Sequence, residues 1–403
     1  MISKSVFFLL AILLSAVLFA QEEVRIDPEY AMGCKANRLF SEVEFIPLET
    51  IKESIFGNID DLAISDRYII VHDRSSTSSI LIFSSTGKFL KKITEKKDIY
   101  HDINWMYYDK INDIIQYRVR NAPFDVLLYS IADKKTTRKE KFPKTLSWQY
   151  HQLPNSIVCE TYRHAQLDTS HYELYVIKDS VLVTTFFPAR KAIGPSDLFT
   201  SIFSPFCSTD NQDSIIYSRD YDYNIYSITS SGISSVLKFI FPANNSIPPG
   251  FETDTSLHNK RGIFFKDNTD KIVGVSRIVA HDSKIFFRLR YGVEMGREKN
   301  KDYAYDKSTG ELFSIGHIEP DSISHQFPVS DFGDGVNLVN YGLTYHNGNL
   351  YTCISSLDCW KIYELLKASG KEITSPGLIN FFRGKKSNMP NPVIVKLTIK
   401  TSG

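Results

Sequence analysis

The chain has 403 residues, of which 42% are hydrophobic and 23% are charged, as in a globular protein and unlike an intrinsically disordered one. Its formal net charge of +1 argues against a nucleic-acid or membrane-surface function that depends on an overall basic charge. The 22 tyrosines and 27 phenylalanines favour β-structure, because aromatic side chains pack well on half-buried pleated surfaces.

Residues 1–20 have the pattern of a secretory signal peptide. Lys4 gives a basic start, residues 6–19 are apolar, and "LFA" before Gln21 is a small-residue cleavage site. The apolar stretch is shorter than the roughly 20 residues that a membrane-spanning helix needs. No cysteine follows it directly, since Cys34 lies too far downstream. We therefore expect an exported chain, periplasmic, cell-surface or secreted, that is not a lipoprotein and has no transmembrane segment after signal cleavage.

After a lead segment over residues 21–40, one strand–turn–strand pattern recurs along the chain. Each copy has an alternating apolar strand, a short polar turn that contains Gly or Asp, and a second strand. The copies are "SSILIFSSTGKFLKKI" from Ser78, "DVLLYSIADKKTTRKEKF" from Asp125, "YELYVIKDSVLVTTFF" from Tyr172, "YNIYSITSSGISSVLKF" from Tyr223 and "DYAYDKSTGELFSIGHI" from Asp302. We interpret them as the outer two strands of a repeated unit.

A second strand pair precedes most of these hairpins, as in "DLAISDRYIIVHD" from Asp61. Two hairpins in series make a four-stranded antiparallel unit of roughly 45 residues, the size of a β-propeller blade. We therefore predict an all-β fold, a six-bladed β-propeller of four-stranded antiparallel blades over residues 41–403. The predicted blades start near Ile59, His101, Ser147, Phe206, Lys271 and His325.

Three further predictions concern segments outside this repeat. The last blade lacks one strand, which we assign to "SEVEFIPLET" from Ser41, so that the N- and C-terminal strands pair and close the ring. The segment "LDCWKIYELLKASG" from Leu357 has helical spacing and a Gly stop, which predicts a short helical insertion. Residues 242–266 are rich in Pro and Asn and predict an extended loop or lid.

Several strings resemble a known family. "EVEFIPLETIKESIFGNIDDLAISDRYIIVHDRSSTSSILIFSSTGKFLKKI", "SIIYSRDYDYNIYSITSSG" and "NPVIVKLTIK" are similar to the start, the fourth blade and the closing strand of the exported TolB-like six-bladed β-propeller proteins of Bacteroidetes. The resemblance runs from about Arg38 to the end and implies the fold and export. It brings no catalytic residues, although several relatives lie beside outer-membrane glycan-uptake systems. The family's Gly-rich segment with an acidic pair is only approximated by "SDFGDGVNLVN", which contains Asp331 and Asp334.

The sequence contains no local motif for metal or nucleotide chemistry. None of the ten histidines forms a pair at two- to four-residue spacing, and neither a Gly-x-Ser-x-Gly elbow nor a phosphate-binding Gly loop is present. "DFGDG" from Asp331 lacks the acidic spacing of a calcium loop and is interpreted as a turn. No cofactor and no metal ligand is predicted, while a metal held by separate blades in the central channel stays an alternative.

Arginines recur at or just beyond the predicted second strand of five blades: Arg74, Arg118, Arg120, Arg163, Arg219, Arg288 and Arg290. If the blades are in register, these guanidinium groups lie on one face of the disc and favour a carboxylate, sulfate or phosphate ligand. The alternative is that they pair with acids such as Asp73 and Asp220 or cover apolar surface. Trp105 and Trp148 fall in predicted inner strands, where an aromatic ring either stacks on a ligand or packs within the blade.

Two functions from different classes follow. The first is an exported, non-catalytic binding or scaffold propeller that recognises a glycan, a small anionic ligand or a cell-envelope protein through one loop-bearing face. The alternative is a periplasmic lyase or hydrolase, similar to a lactonase, with Asp61, Asp102 or Glu160 and a divalent metal in the channel. Because the sequence shows no catalytic constellation, we favour the first.

The five cysteines do not form a disulfide framework, since their number is odd and their spacing wide. Two readings stay open for Cys353 and Cys359, which either pair across a loop or are buried as small apolar side chains.

Overall fold

The computed structural model of the protein describes residues 21–95, 102–120, 125–139, 149–154, 156–160, 172–178, 181–194, 196–197, 205–209, 211–291, 301–329, 343–384 and 390–401. Most of the regular structure in these residues is β-strand. The α-helices in them are α1 (Ala36–Leu39), α2 (Arg261–Asp267), α3 (Ser356–Ala368) and α4 (Pro376–Phe382).

The described strands form six small sheets, which we number along the chain. The first strands in the chain are β1 (Glu22–Arg25), β2 (Met32–Lys35) and β3 (Phe40–Pro47). Sheet 1 consists of β4 (Asp61–Ile64), β5 (Tyr68–Asp73), β6 (Ser79–Ser84) and β7 (Phe89–Thr94). Sheet 2 consists of β8 (Ile103–Asp109), β9 (Ile114–Val119), β10 (Val126–Ser130) and β11 (Lys135–Lys139). Sheet 3 consists of β12 (Gln149–Leu153), β13 (Ser156–Glu160), β14 (Tyr172–Lys178) and β15 (Val181–Pro188).

The other three sheets include the N-terminal strands. Sheet 4 consists of β16 (Phe206–Ser208), β17 (Ser214–Ser218), β18 (Asn224–Thr229) and β19 (Ile233–Ile240), with β1 added. Sheet 5 consists of β20 (Ile272–His281), β21 (Lys284–Tyr291), β22 (Lys301–Asp306) and β23 (Glu311–Glu319), with β2 added. Sheet 6 consists of β24 (Thr344–His346), β25 (Asn349–Ile354), β26 (Val393–Ile399) and β3.

The hairpins that recur in the sequence are the third and fourth strands of sheets 1 to 5, which confirms their prediction as outer strand pairs. The first hairpin turns at Gly87, whose φ of +83° is a conformation that glycine adopts without strain. A side chain here would bring its Cβ to 2.2 Å from the carbonyl oxygen of Pro47. The turn therefore requires glycine, because β3 passes close to it.

Neighbouring sheets pack face to face around a closed circuit. Apolar clusters join sheets 1 and 2, 2 and 3, 3 and 4, 4 and 5, and 5 and 6. The circuit closes where Ile394 of sheet 6 and Val71 of sheet 1 belong to one buried cluster. Innermost strands of successive sheets also meet, as β24 does with β4 and β4 with β8. The fold is thus all-β, a β-propeller arrangement of small antiparallel sheets, with few helices.

Sheet 6 joins the two ends of the chain. Strand β3 pairs antiparallel with β26, with Phe45 opposite Val395 and Val43 opposite Leu397. These four side chains are buried. The predicted pairing of the N- and C-terminal strands is confirmed.

Residues 21–35, for which the sequence predicted only a lead segment, extend two sheets at their outer edges. Strand β1 pairs parallel with β19, and β2 pairs parallel with β23. The side-chain amide of Gln21 donates hydrogen bonds to Asn224 Oδ1 (2.8 Å) and to Ser235 Oγ (2.6 Å). Val24 of β1 is buried at 2% exposure. This segment therefore belongs to the folded domain, into which Val24 is buried.

The helical insertion is confirmed as α3, where the Ser355 hydroxyl accepts a hydrogen bond from the backbone N–H of Asp358. The extended loop predicted over residues 242–266 is corrected by the structure, because its end forms α2. Arg261 of α2 is fully buried and pairs with Asp197 at 3.0 Å. Its guanidinium also donates to the backbone oxygens of Phe251 and Ala192. Apolar residues of α2 and this ion pair hold the segment against the body of the protein.

Two smaller observations complete the fold. Cys353 and Cys359 are both buried, at 2% and 0% exposure, as the apolar reading of these residues requires. Within the described ranges, no helix combines the length and the hydropathy that crossing a lipid bilayer requires.

We expect the closing strand pair to be a principal source of stability. Leu397→Ala removes a fully buried side chain of β26 and should lower the free energy of unfolding by about 2–5 kcal/mol. Lys396→Ala on the same strand removes only an exposed pair with Glu44 and should change it by less than about 1 kcal/mol. Urea unfolding followed by tryptophan fluorescence measures both, and equal losses would contradict the assignment.

Candidate functional site

The predicted arginines within the described residues lie at one end of their sheets. Arg74, Arg120 and Arg219 come just after the second strands β5, β9 and β17, and Arg288 and Arg290 lie in the second half of β21. In an antiparallel sheet, the end of the second strand lies beside the start of the first. We therefore define the arginine face as the side that carries the second-strand ends and the first-strand starts.

A cleft of about 500 Å³ opens on the arginine face between sheets 1 and 2. It is lined by Arg74, Ser75, Ser76, Ser78, Asp102, Asn104 and Arg120. The loop after β5 of sheet 1 forms one side of the cleft. The start of β8 and the end of β9, both of sheet 2, form the other side. Two of the predicted arginines are thus brought together at one cavity.

Two aspartates shape the serine-rich side of the cleft. Asp60 accepts hydrogen bonds from the backbone N–H groups of Arg74 (2.9 Å) and Ser75 (2.8 Å). Asp73 accepts from the backbone N–H of Ser76 (2.8 Å) and from the Thr77 hydroxyl (2.9 Å). Such side-chain-to-backbone bonds fold a short polar loop without a regular element. The loop therefore presents its serines to the cavity in a fixed conformation.

The cleft contains positive charge and one unsatisfied acceptor. Arg120 pairs with Asp102 at 3.0 Å, and Arg74 lies 3.9 Å from Asp60. Both arginine side chains are more than half exposed, at 52% for Arg74 and 59% for Arg120. The Oδ1 atom of Asn104 is buried and has no hydrogen-bond partner among the described residues. An acceptor in this state costs free energy unless a ligand or water donates to it.

Arg118 lies in β9, two residues before the cleft residue Arg120, and its surroundings are different. It is buried, stands opposite Trp105 in the strand register, and places its guanidinium carbon 4.7 Å from the Trp105 ring centroid. Trp105 also stacks on Tyr107 with a ring angle of 14°. This cation–π stack packs sheet 2 toward sheet 3. Predicted residues Trp148 and Arg163 lie outside the described residues.

Arg219 belongs to a buried ionic network. This arrangement agrees with the alternative that some of the arginines pair with acids. Its Nε lies 3.1 Å from Glu173 and its Nη1 lies 3.3 Å from Asp222. Glu173 also pairs with Arg190 at 2.6 Å. The guanidinium lies over the Phe187 ring at 4.2 Å. Arg219 therefore joins sheets 3 and 4 and presents little of its charge to solvent.

Arg288 and Arg290 take part in a second charged group, which we call the axial cluster. Arg288 forms a two-bonded pair with Asp302, both at 2.8 Å, and Arg290 lies 3.3 Å from Asp220. The remaining members are Arg277 and Asp61, whose charges act on each other. Asp61 lies on sheet 1 and Arg277 on sheet 5, with sheet 6 between them along the chain order of the ring. Both residues lie in innermost strands of their sheets, β4 and β20.

Sequence reasoning missed Arg277. It lies in β20, the first strand of sheet 5, with a φ of +52° where the register between β20 and β21 shifts. Such a bulge re-aims a side chain that would otherwise follow the strand alternation. The available signal was the polar pair Ser276 and Arg277 within an otherwise apolar strand. The turn and repeat patterns gave no reason to single out Arg277 among the other residues of β20.

The electrostatics of the axial cluster change the ionisation of its acid. Burial raises the pKa of Asp61 to about 6, and the nearby positive charge of Arg277 opposes this effect. Burial, followed by the like charge of Arg288, lowers the pKa of Arg277 from its usual value. A carboxyl group with such a pKa exchanges a proton near neutral pH.

The acids proposed for the enzymatic alternative have separate surroundings. Asp61 lies in the axial cluster, Asp102 pairs with Arg120 in the cleft, and the side chain of Glu160 lies outside the described residues. In the portion of the chain that the structure describes, no three His, Cys, Asp or Glu side chains are grouped so as to hold a metal ion.

We expect Asp61 to make stability pH-dependent. In the unfolded chain its carboxyl ionises near pH 3.8, whereas in the folded protein it keeps its proton up to about pH 6. The folded state then binds more protons at this carboxyl in this window, so the contribution of Asp61 to stability falls as pH rises from 4 to 6. Asp61→Asn lacks this titration, and its stability relative to wild type should rise over the same window by at most about 3 kcal/mol. Urea unfolding of both proteins between pH 4 and 8 measures the difference, and a flat difference curve would refute the shifted pKa.

Comparison with known proteins gives a family and a fold. Residues 23–398 match the model of a family described as a domain of unknown function, DUF4934. No protein with a curated description matches the sequence. The crystal structure of a Bacteroides fragilis protein named for its predicted export is similar with a TM-score of 0.70 and 15% identity, over 94% of this chain and 100% of that one.

Two other similarities are distant. PorZ, an essential surface component of the type-IX secretion system of Porphyromonas gingivalis, has a TM-score of 0.31 and 9% identity, over 67% of this chain and 29% of that one. Acylaminoacyl peptidase of Pyrococcus horikoshii has a TM-score of 0.36 and 12% identity, over 74% and 43%. The B. fragilis structure supports the fold alone, and the other two carry no argument about this chain.

Proposed function

The chain belongs to the DUF4934 family, and we propose that it is an exported, non-catalytic binding propeller that recognises an acidic glycan or a similar small anion on its arginine face. In this proposal the six sheets are the six blades of a TolB-like ring over residues 41–403, and residues 1–20 are removed on export to the periplasm or cell surface. The observation that carries the proposal is the convergence of Arg74 and Arg120 on one cleft.

The cleft has the functional groups that an acidic sugar needs. Two exposed guanidinium groups offer charge-assisted hydrogen bonds to a carboxylate or sulfate. The unsatisfied Oδ1 of Asn104 accepts a hydrogen bond, which a sugar hydroxyl donates and a bare anion does not. Three serine hydroxyls supply further acceptors, and those of Ser75 and Ser78 already donate to Asp60 Oδ1 (2.6 Å) and to the Arg74 carbonyl oxygen (3.2 Å). A ligand that combines acid and hydroxyl groups therefore fits this cavity better than either group alone.

Existing ion pairs limit the affinity and favour selectivity. Asp102 already neutralises part of the charge of Arg120, so a ligand carboxylate competes with it for the same donors. The carboxylate of Asp102 in turn accepts from ligand hydroxyls. We propose that Arg74 provides most of the net attraction, because its acid partner Asp60 is also engaged by backbone N–H groups.

One observation favours a second candidate function, an enzyme that acts at the axial cluster. Asp61 has a pKa near 6 beside Arg277, which is the pairing expected of a general acid with a neighbouring anion-binding group. In this candidate a lyase or hydrolase uses Asp61, and Arg277 stabilises developing negative charge. The candidate requires turnover of a sugar or lactone that Asp61→Asn abolishes.

We expect a uronic-acid oligosaccharide to raise the melting temperature of the chain from Gln21 onward, because a ligand that binds only the folded state stabilises it. Its neutral counterpart of equal length should have a smaller effect. Arg74→Ala and Arg120→Ala should each weaken binding about tenfold to a hundredfold, the loss expected when a hydrogen bond to a charged group is removed. Isothermal titration calorimetry measures these affinities.

Arg67→Ala is the matched control. Arg67 is as exposed as the cleft arginines, at 65%, and also pairs with an acid, Asp113, but lies in the β4–β5 turn at the opposite end of sheet 1. Its removal should leave the affinity unchanged. Equal binding by all three variants and wild type, or equal affinity for the neutral oligosaccharide, would overturn the assignment to this cleft.

A further inference from the structure

The arginines of the axial cluster are not all neutralised in the same way. Arg288 and Arg290 each pair with an aspartate, at 2.8 Å and 3.3 Å. Among the acids that act on the charge of Arg277, Asp61 has the largest effect. Burial raises the pKa of Asp61 to about 6, so this carboxyl is largely protonated in mildly acidic solution. When Asp61 holds its proton, the three arginines of the cluster face two ionised aspartates, and one positive charge is in excess.

Asp61 and Arg277 are placed where a dissolved ion can reach them. They lie in β4 and β20, the innermost strands of sheets 1 and 5, and the innermost strands of a propeller line its central channel. Their charges act on each other although sheet 6 lies between these two sheets. Both residues are only partly buried, so they keep some contact with solvent. A small ion that enters from the arginine face, where β4 begins, therefore meets this pair.

The backbone of Arg277 is held in a conformation that costs free energy. Its φ of +52° lies in the left-handed region, which is unfavourable for a residue other than glycine. The register with β21 shifts between Ser276 and Val279, so this conformation belongs to a bulge. The backbone N–H of Ile278 donates to Cys207 Sγ at 3.2 Å, which ties the bulge to sheet 4. Backbone outliers of this kind concentrate at binding sites, because the surrounding structure maintains them there.

We propose that the axial cluster binds a small oxyanion, a carboxylate, sulfate or phosphate, at Arg277, and that this binding requires a proton on Asp61. The guanidinium group offers parallel N–H donors to the two oxygens of such an anion. An ionised Asp61 competes with the anion for this positive charge, whereas a protonated Asp61 does not and has an O–H to donate. Arg288 adds a second positive charge near the anion. Above about pH 6, binding therefore takes up a proton from solvent. This anion site is separate from the cleft of the proposed function, and it requires no turnover.

The neighbouring groups leave Asp61 as the source of the pH dependence. Besides each other, the charged groups that act on the pair are Arg74 and Asp60 beside Asp61, and Arg288, Asp302 and Cys207 beside Arg277. The strands that contact β4 add Asp102 before β8, paired with Arg120, and His346 at the far end of β24, paired with Asp66. His72 stands opposite Asp61 in β5, and burial lowers its pKa to about 4. Burial also raises the pKa of the Cys207 thiol. His72 therefore stays neutral and Cys207 protonated between pH 5 and 8, and neither imitates the titration of Asp61.

Isothermal titration calorimetry of the chain from Gln21 onward tests the proposal with sodium sulfate, sodium phosphate and sodium glucuronate at constant ionic strength. Sulfate keeps its charge between pH 5 and 8, so it isolates the effect of the protein. Its affinity should fall about tenfold to a hundredfold over this range, because the fraction of molecules with a protonated Asp61 falls. Titrations at pH 7 in two buffers of different ionisation enthalpy should show proton uptake, up to about one per sulfate. The relative affinities of the three anions show which oxyanion the site prefers.

Three variants locate the anion. Asp61→Asn resembles the protonated carboxyl and should bind sulfate at pH 8 as tightly as wild type does at pH 5. Arg277→Gln should weaken binding at pH 5 at least tenfold and remove its pH dependence. Arg120→Ala changes the cleft and should keep the pH dependence, which makes it the matched control. Thermal unfolding without sulfate shows whether each variant is folded, and a gain of binding in Asp61→Asn cannot come from misfolding.

Several results would contradict the axial site. One is that none of the three anions binds at pH 5. Another is that wild type and Arg120→Ala each bind sulfate equally at pH 5 and pH 8. Loss of the pH dependence in Arg120→Ala but not in Arg277→Gln would place the anion in the cleft and overturn this proposal alone. Loss in Arg277→Gln alone supports the axial site, whatever the oligosaccharide titrations show for the cleft.

Discussion

The antiparallel pairing of β3 with β26 is the constraint on which the rest of the structure depends. It ties residues near position 45 to residues near position 395, and it turns a row of stacked sheets into a closed circuit. Closure buries both faces of sheets 1 and 6, which would otherwise end the row.

The sequence allowed the repeated part of this fold to be predicted, because the signal is local. A hairpin needs only two alternating strands and a turn residue, and each of these lies within about 17 positions, as Gly87 between β6 and β7 shows. The closing strand was predicted from what the last unit lacked. The added strands β1 and β2 were missed, since parallel pairing with an edge far along the chain leaves no local pattern. Helix α2 was missed because a loop-like composition precedes its short apolar stretch.

The site was predicted less completely than the fold. The sequence repeat predicts on which face of the propeller a side chain lies, but it does not predict which acidic residue pairs with that side chain. Arg74 and Arg120 line one cleft, whereas Arg219 forms ion pairs with Glu173 and Asp222 in a buried network. All three follow a second strand, and nothing in the local sequence separates them. Arg277 lay outside the pattern altogether, since a bulge sets its direction. Distances between sheets decide which charges are cancelled, and those distances follow from packing.

The strands β1 to β3 have a consequence for the order of folding. They are synthesised first, yet their pairing partners are β19, β23 and β26, the last of which ends at residue 399. Contacts between such distant parts of a chain form slowly, because a long loop must close before they contribute. Strand β1 therefore stays without its partner until residue 240 has been made, β2 until residue 319 and β3 until residue 399. The three N-terminal strands can thus be added in chain order, and the circuit of sheets closes only when β26 pairs with β3.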